Sequence, residues 1–358
     1  MNKGFLFKIH SFSGLLSGIF ILAMSLSGAV LVFHEELDGL QYPSIVKIDN
    51  KPLLTVDSCY RSLQNHYAHA QINSCNLAKT IDEPFIFTVF DSSFQKGTQS
   101  MQVFIHPQTG AILHLRGGGN DFRNNLIGWL SVFHNSFHLE KNGEWLLGFF
   151  GLLFLISILT GIILYRKSIL SVLLFRKYMF RKANFHQLIG VYALFFNLVI
   201  CITGIWMQRY VFKKDFYAIE QKFTPILKPS QPLSFSVDNA LKNLYAQNIA
   251  FTGHVIYFAP NTKRKTAVYG SNATNSFIHN KKLADAVFFD STGSITKTAF
   301  VNDIAPENRY DIINAQIHYG RFGGWPVKIL YSLLGATGGL LSITGMLLWI
   351  SNRKRLYK

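Results

Sequence analysis

The chain has 358 residues, 49% of them hydrophobic and 15% charged, whereas an average soluble domain is about 25% charged. With a mean hydropathy of +0.20 and 32 Phe, that composition excludes disorder, collagen, coiled coil and a disulfide miniprotein. The net charge of +16 would point to nucleic acid only if the Lys and Arg shared one soluble face, and here much of the excess gathers at the ends of apolar segments.

A membrane crossing takes about 20 apolar residues. In chain order, Ser11–Phe33 reads as the first span. Lys3 and Lys8 precede it, but it outruns the h-region of a signal peptide and no clear A-x-A site follows. An outer segment comes next, with a helix over Leu53–His69 and strands over Phe85–Phe90 and Met101–His106. A short interfacial helix, Leu126–Phe137, precedes the second span, Trp145–Tyr165, and Lys141-Asn142-Gly143 is expected to interrupt the helix between them. A basic loop holding Arg166, Lys167, Arg176, Lys177, Arg181 and Lys182 leads to the third span, Leu188–Met207. The second outer segment carries a helix over Val237–Gln247, strands over His254–Phe258 and Ala286–Asp290, and a short helix Asp311–Tyr319. Gly323-Gly324-Trp325-Pro326 separates it from the fourth span, Ile329–Ile350, which ends in Arg353, Lys354, Arg355 and Lys358.

The Lys/Arg bias puts both termini and the central loop on the cytoplasmic side. The expected architecture is an α-helical membrane protein of four spans with two outer α+β lobes. Residues 1–34 form span one, 35–143 lobe one, 144–166 span two, 167–184 a cytoplasmic loop and 185–207 span three. Residues 208–326 form lobe two, 327–351 span four and 352–358 a cytoplasmic tail. Between Glu35 and Ile127 seven Lys/Arg oppose nine Asp/Glu, about −2; between Gln208 and Ile317 thirteen oppose eight, about +5. That distribution argues against a nucleic-acid surface.

The two halves repeat. His10 and Gly14 are followed by Ser27-Gly28, with Gly28 eighteen residues after His10; His186 and Gly190 are followed by Thr203-Gly204 at the same interval. His134 precedes Thr160-Gly161, and His318 precedes Thr344-Gly345, by twenty-seven residues to the glycine in both cases. Pro107-Gln108-Thr109-Gly110 and Asp290-Ser291-Thr292-Gly293 stand ahead of His134 and His318 at nearly the same distance. Halves that enter the membrane in the same direction are related by an axis along its normal. His10 then faces His186 at the inner level, and His134 faces His318 at the outer level. Two facing imidazoles can supply the axial ligands of a haem iron; the alternative is interfacial polar residues beside small-residue packing. His34 and His138 break the repeat, standing opposite Tyr210 and Phe322, and read first as surface polar residues and second as alternative ligands or substrate-side groups.

The frames KIH-x3-G…LSG-x4-F…ELD over Lys8–Asp38, HPQTG over His106–Gly110, FH…G…LTG over Phe133–Gly161 and IH-x-G…ITG over Ile317–Gly345 resemble the PepSY-associated transmembrane family. Within it the chain is similar to four-span bacterial inner-membrane proteins of the iron-regulated and ferric-siderophore-reductase type. The resemblance covers nearly the whole chain. It implies two periplasmic PepSY-like lobes and two b-type haems on His10, His186, His134 and His318. It also implies an oxidoreductase that passes electrons to a periplasmic ferric siderophore and releases Fe(II) for uptake. No G-x-G-x-x-G opens a helix after a strand and no P-loop or flavin motif is present, so a cytoplasmic donor or quinol would supply the electrons. The alternative is a non-enzymatic membrane sensor or assembly factor binding a peptide or protein through its lobes. Cys59 and Cys75 both fall in the first outer segment, where a disulfide can persist; a bridge is expected if Cys75 doubles back along the helix.

Overall fold

A computed structural model describes residues 2–41, 53–78, 80, 82–91, 100–174, 182–214, 216, 229–248, 250–259, 265–279 and 282–356; Arg176, Lys177, Arg181 and Lys358 of the charge argument lie outside them. The chain divides into two compact units. One is helical, made of Met1–His34, Leu130–Phe223 and Asn314–Lys358; the other is built on a sheet, made of Glu35–Trp129 and Thr224–Ile313.

In the helical unit, α1 (Lys3–Leu31) opens at Asn2, whose side chain accepts a hydrogen bond from the Gly4 amide at 3.0 Å. This meets one of the amides that a helix start leaves unpaired. Helices α4 (Leu126–Ser136) and α5 (Glu140–Tyr165) follow, then α6 (Ile169–Leu173), α7 (Lys182–Tyr192) and α8 (Leu194–Met207). The unit closes with α10 (Tyr310–Tyr319) and α11 (Gly324–Leu356). Among the described residues α1, α5 and α11 are each long and apolar enough to cross a membrane, and α7 with α8 makes a fourth if that bent pair counts as one span. The third span is therefore not the continuous helix expected over Leu188–Met207. It bends by 64° at Ala193, whose carbonyl receives the Asn197 side chain at 3.1 Å beside the ordinary helical bond. A polar side chain inserted at the backbone is a recognised cause of kinks.

The break before α5 is also displaced. Lys141-Asn142-Gly143 lies inside the helix, and the chain turns earlier, where Phe137, His138 and Glu140 hold φ of 50°, 57° and 50°. Before α11 the corresponding turn uses glycine, with Gly320, Gly323 and Gly324 at positive φ. Trp325 and Pro326 fall in the first turn of α11, where proline is tolerated.

The expected pair of lobes is one body instead. Helix α2 (His34–Gln41) opens it, and each outer segment adds one helix and four strands. The first gives α3 (Val56–His66), β1 (Gln71–Asn76), β2 (Phe85–Phe90), β3 (Ser100–Ile105) and β4 (Ile112–Gly117). The second gives α9 (Val237–Gln247), β5 (Phe251–Tyr257), β6 (Thr266–Asn272), β7 (Asp285–Phe289) and β8 (Ile295–Ala299). These strands form a single antiparallel sheet in the order β4-β3-β2-β1-β5-β6-β7-β8. Its two halves join where Ser74, Cys75 and Asn76 pair with Tyr257, Ile256 and Val255. One core runs across the join, with Phe87, Val89 and Val103 from one half and Ile256, Val268 and Val287 from the other fully buried, under Leu63 and Leu244 of the two helices. The repeated turns Pro107–Gly110 and Asp290–Gly293 link β3 to β4 and β7 to β8. Both need glycine because Gly110 and Gly293 hold φ of 71° and 84°.

The segments 130–143, 208–223 and 314–326, expected in the lobes, belong to the helical unit. Cys59 on α3 and Cys75 on β1 do come into the same core, both 0% exposed, but as free thiols rather than a disulfide. Burial, and then the neighbouring Asp238 carboxylate, push the Cys59 thiol up to about 11. Burial also holds Cys75 well above the ordinary thiol value.

Candidate functional site

The four repeat histidines are all half-buried in the helical unit, and each meets the Ser/Thr-Gly pair of another span. His10 on α1 places Nδ1 2.9 Å from the Ser157 carbonyl and 3.3 Å from the Thr160 hydroxyl of α5. His186 on α7 places Nδ1 2.8 Å from the Thr344 hydroxyl of α11. His134 on α4 places Nδ1 2.8 Å from the Ser27 hydroxyl of α1. His318 on α10 places Nδ1 3.0 Å from the Thr203 hydroxyl of α8. The pattern is reciprocal. Helix α1 gives an imidazole to a hydroxyl of α5 and receives on its own Ser27 hydroxyl the imidazole of α4, the helix just ahead of α5; α7 and α8 stand in the same relation to α11 and to α10, the helix just ahead of α11.

These hydroxyls fix the tautomer. A hydroxyl has one proton, and each of the four directs it to the carbonyl four residues back: Ser27 to Ala23, Thr160 to Ile156, Thr203 to Val199 and Thr344 to Leu340, at 2.7 to 2.8 Å. The hydroxyl oxygen is left to accept, so Nδ1–H donates and Nε2 keeps its lone pair. At His10 the Ser157 carbonyl, which can only accept, requires the same assignment. A metal-binding imidazole is oriented in this way, by a hydrogen bond from its other nitrogen.

The glycine of each pair faces the ring, and at three of the four a side chain would crowd it. A Cβ on Gly28 would stand 2.9 Å from His134 Cε1; on Gly161, 3.2 Å from His10 Cε1; on Gly204, 3.2 Å from His318 Cε1; on Gly345, 3.5 Å from His186 Cε1. The sequence marks these pairs as part of the repeat, and their role toward histidine is not visible in it. The signal was the constant interval that tied each glycine to a histidine.

The structure brings His10 and His186 together, with ring centroids 6.3 Å apart and planes at 76°. Two imidazoles on opposite sides of one metal, each at about 2.0–2.1 Å, have centroids roughly 6 Å apart. Both rings line a cavity of about 500 Å³ whose wall includes Gly14, Ser17, Gly190 and Leu341. The donor set, the ring separation and a mostly apolar cavity with small residues at its wall fit a haem. His134 on α4 and His318 on α10 occupy the corresponding positions of the two halves.

The reserve histidines are placed differently. His34 Nε2 is 3.2 Å from the Arg321 guanidinium, and His138 sits in the left-handed turn before α5 with its ring 6.3 Å from Phe133. Among the described residues no three His, Cys, Asp or Glu side chains gather as a metal centre of their own.

The family model described as the PepSY-associated TM region matches residues 7–352, and the chain belongs to that family. A search of curated proteins finds no match.

Proposed function

We propose, taking membership of the PepSY-associated transmembrane family as the premise, that the chain is a two-haem oxidoreductase of the bacterial inner membrane. Its substrate would be a ferric siderophore or similar Fe(III) chelate outside the cytoplasm. The observation that carries this reading is the set of four imidazole–hydroxyl bonds in one repeated register, with His10 and His186 facing each other at 6.3 Å.

In this reading His10 and His186 hold one b-type haem and His134 and His318 the other. A haem supplies a one-electron Fe(III)/Fe(II) couple when bound. The chain's own part is to keep each Nε2 unprotonated through the Nδ1 bond, to hold each ring against its glycine, and to line the cavity with Phe154, Leu341 and Leu348 against water. Basic residues at both termini and in the central loop set the His10 end toward the cytoplasm. Electrons would enter there from a cytoplasmic donor or quinol. Reduction of the chelated iron to Fe(II) loosens hard oxygen donors and releases it for uptake.

The test is the absorption spectrum of the full chain purified from haem-replete cells. Red protein with a bis-histidine spectrum that changes on reduction is expected, with two haems per chain. Protein that is colourless and stays so when haem is added overturns the reading, and would leave the alternative of a sensor or assembly factor acting through the sheet unit.

A further inference from the structure

The turn that follows His318 carries an exposed cation between exposed rings. Helix α10 ends at Tyr319, and Gly320 at φ 63° reverses the chain against the Tyr331 ring, where a Cβ would clash. Arg321 then lies back over the Tyr319 ring at 4.5 Å and donates to His34 Nε2 at 3.2 Å. Because a guanidinium only donates, His34 here is the acceptor and neutralises nothing. The ion pairs among the described residues are Arg116–Asp38 and Lys282–Glu35, so the charge of Arg321 meets no described carboxylate. Four residues on, Trp325, 58% exposed, stands 5.6 Å from Phe33.

The repeat supplies an internal control. His34 corresponds to Tyr210 and Trp325 to Lys141. At that second corner the cation is covered: Lys141 Nζ sits 4.3 Å over the Phe216 ring and 5.9 Å over Tyr210, and Phe216 is buried. The halves differ where one corner presents an open cation with flanking aromatic faces and the other closes over its cation. A planar guanidinium pairs with carboxylates through two parallel hydrogen bonds, and exposed rings suit the organic arms of a ligand.

We propose that Arg321, set by His34 and Tyr319 beside the ligand residue His318, is the docking group for an anionic, carboxylate-bearing Fe(III) chelate. This rests on the reductase reading above. It adds a substrate class, and it makes His34 a positioning residue rather than a haem ligand.

The test uses the haem-loaded full chain in phosphatidylcholine nanodiscs. Reduced protein is mixed with ferric citrate, which is anionic, or with ferric tris(acetohydroxamate), which is neutral, and haem reoxidation is followed. Arg321→Gln should raise the half-saturating concentration of ferric citrate about tenfold more than that of the neutral chelate, the loss expected for one charge-assisted pair, with Arg321→Lys intermediate. Calorimetry with redox-inert gallium citrate should show the same loss of binding. Equal effects on both chelates, or none, overturn the proposal and leave Arg321 as a headgroup anchor. If gallium citrate binds through Arg321 but neither iron chelate reoxidises wild-type haem, docking stands and the reductase reading falls.

Discussion

An imidazole binds a metal through the nitrogen that lacks a proton, so the partner of the other nitrogen decides whether a histidine can be a ligand. Thr203→Val keeps the shape of that partner and removes its oxygen. It should weaken haem retention at the His134–His318 site by about 10–100-fold, read by competition with an apo haem-binding protein, while the inner site is unchanged. The glycines make a graded test. Gly28→Ala puts a methyl 2.9 Å from His134 Cε1, whereas Gly345→Ala meets His186 at 3.5 Å, an ordinary contact. The first should lower haem per chain and the second should not. The thiols give a prediction in pH. Cys59 is raised from 9.0 to about 11 in the folded chain, so the folded state holds the proton more tightly. The stability this contributes is complete below pH 9 and is lost as pH rises toward 11. Thermal unfolding should show that loss, and Cys59→Ala should flatten it. Alkylation of the unfolded, unreduced protein should modify all three cysteines; modification of one alone would mean that Cys59 and Cys75 are bridged.

At the scale of elements, the sheet unit is fastened by two helices that cap each other. Asp238 on α9 accepts from the Val56 and Asp57 amides at the start of α3, at 3.0 and 2.8 Å. Asp57 accepts in return from the Val237 amide and the Ser236 hydroxyl at the start of α9. The first amides of a helix have no partner within it, so each carboxylate completes the other segment's helix. Asp238→Ala should cost about 1–2 kcal/mol, and the double variant with Asp57→Ala less than the sum, since the two sites share one arrangement. Much at this scale was legible in local pattern. Strand β2 and helix α9 fall on the residues that alternation and helical periodicity mark, Phe85–Phe90 and Val237–Gln247. The bend at Ala193 was not legible, because neither proline nor glycine marks it and the Asn197 side chain that accompanies it also reaches Thr337 of another helix at 3.0 Å. Local pattern marked no strand at β1, and its pairing with β5 joins residues about 180 apart and depends on tertiary packing.

Across the whole molecule, the repeat register places each histidine against a hydroxyl of its own half and brings His10 of the first half to His186 of the second. Sequence spacing carried this far because the intervals match between the two halves, and intervals along a helix translate into level and face. It could not reveal that the Ser/Thr-Gly frame serves the imidazoles, which needs the spans to be packed. A site shared between halves has a consequence that a site within one half lacks. In the intact chain His10→Ala and His186→Ala should each remove the same haem, and the double variant should lose no more than either single one. His134→Ala and His318→Ala should behave as a second such pair, so that combining one variant from each pair removes both haems. The measurement is haem per chain by pyridine haemochrome together with the bis-histidine absorption of what remains. Should the His10 and His186 losses add, each would serve a separate haem, and the facing of the two halves would not be the basis of the site.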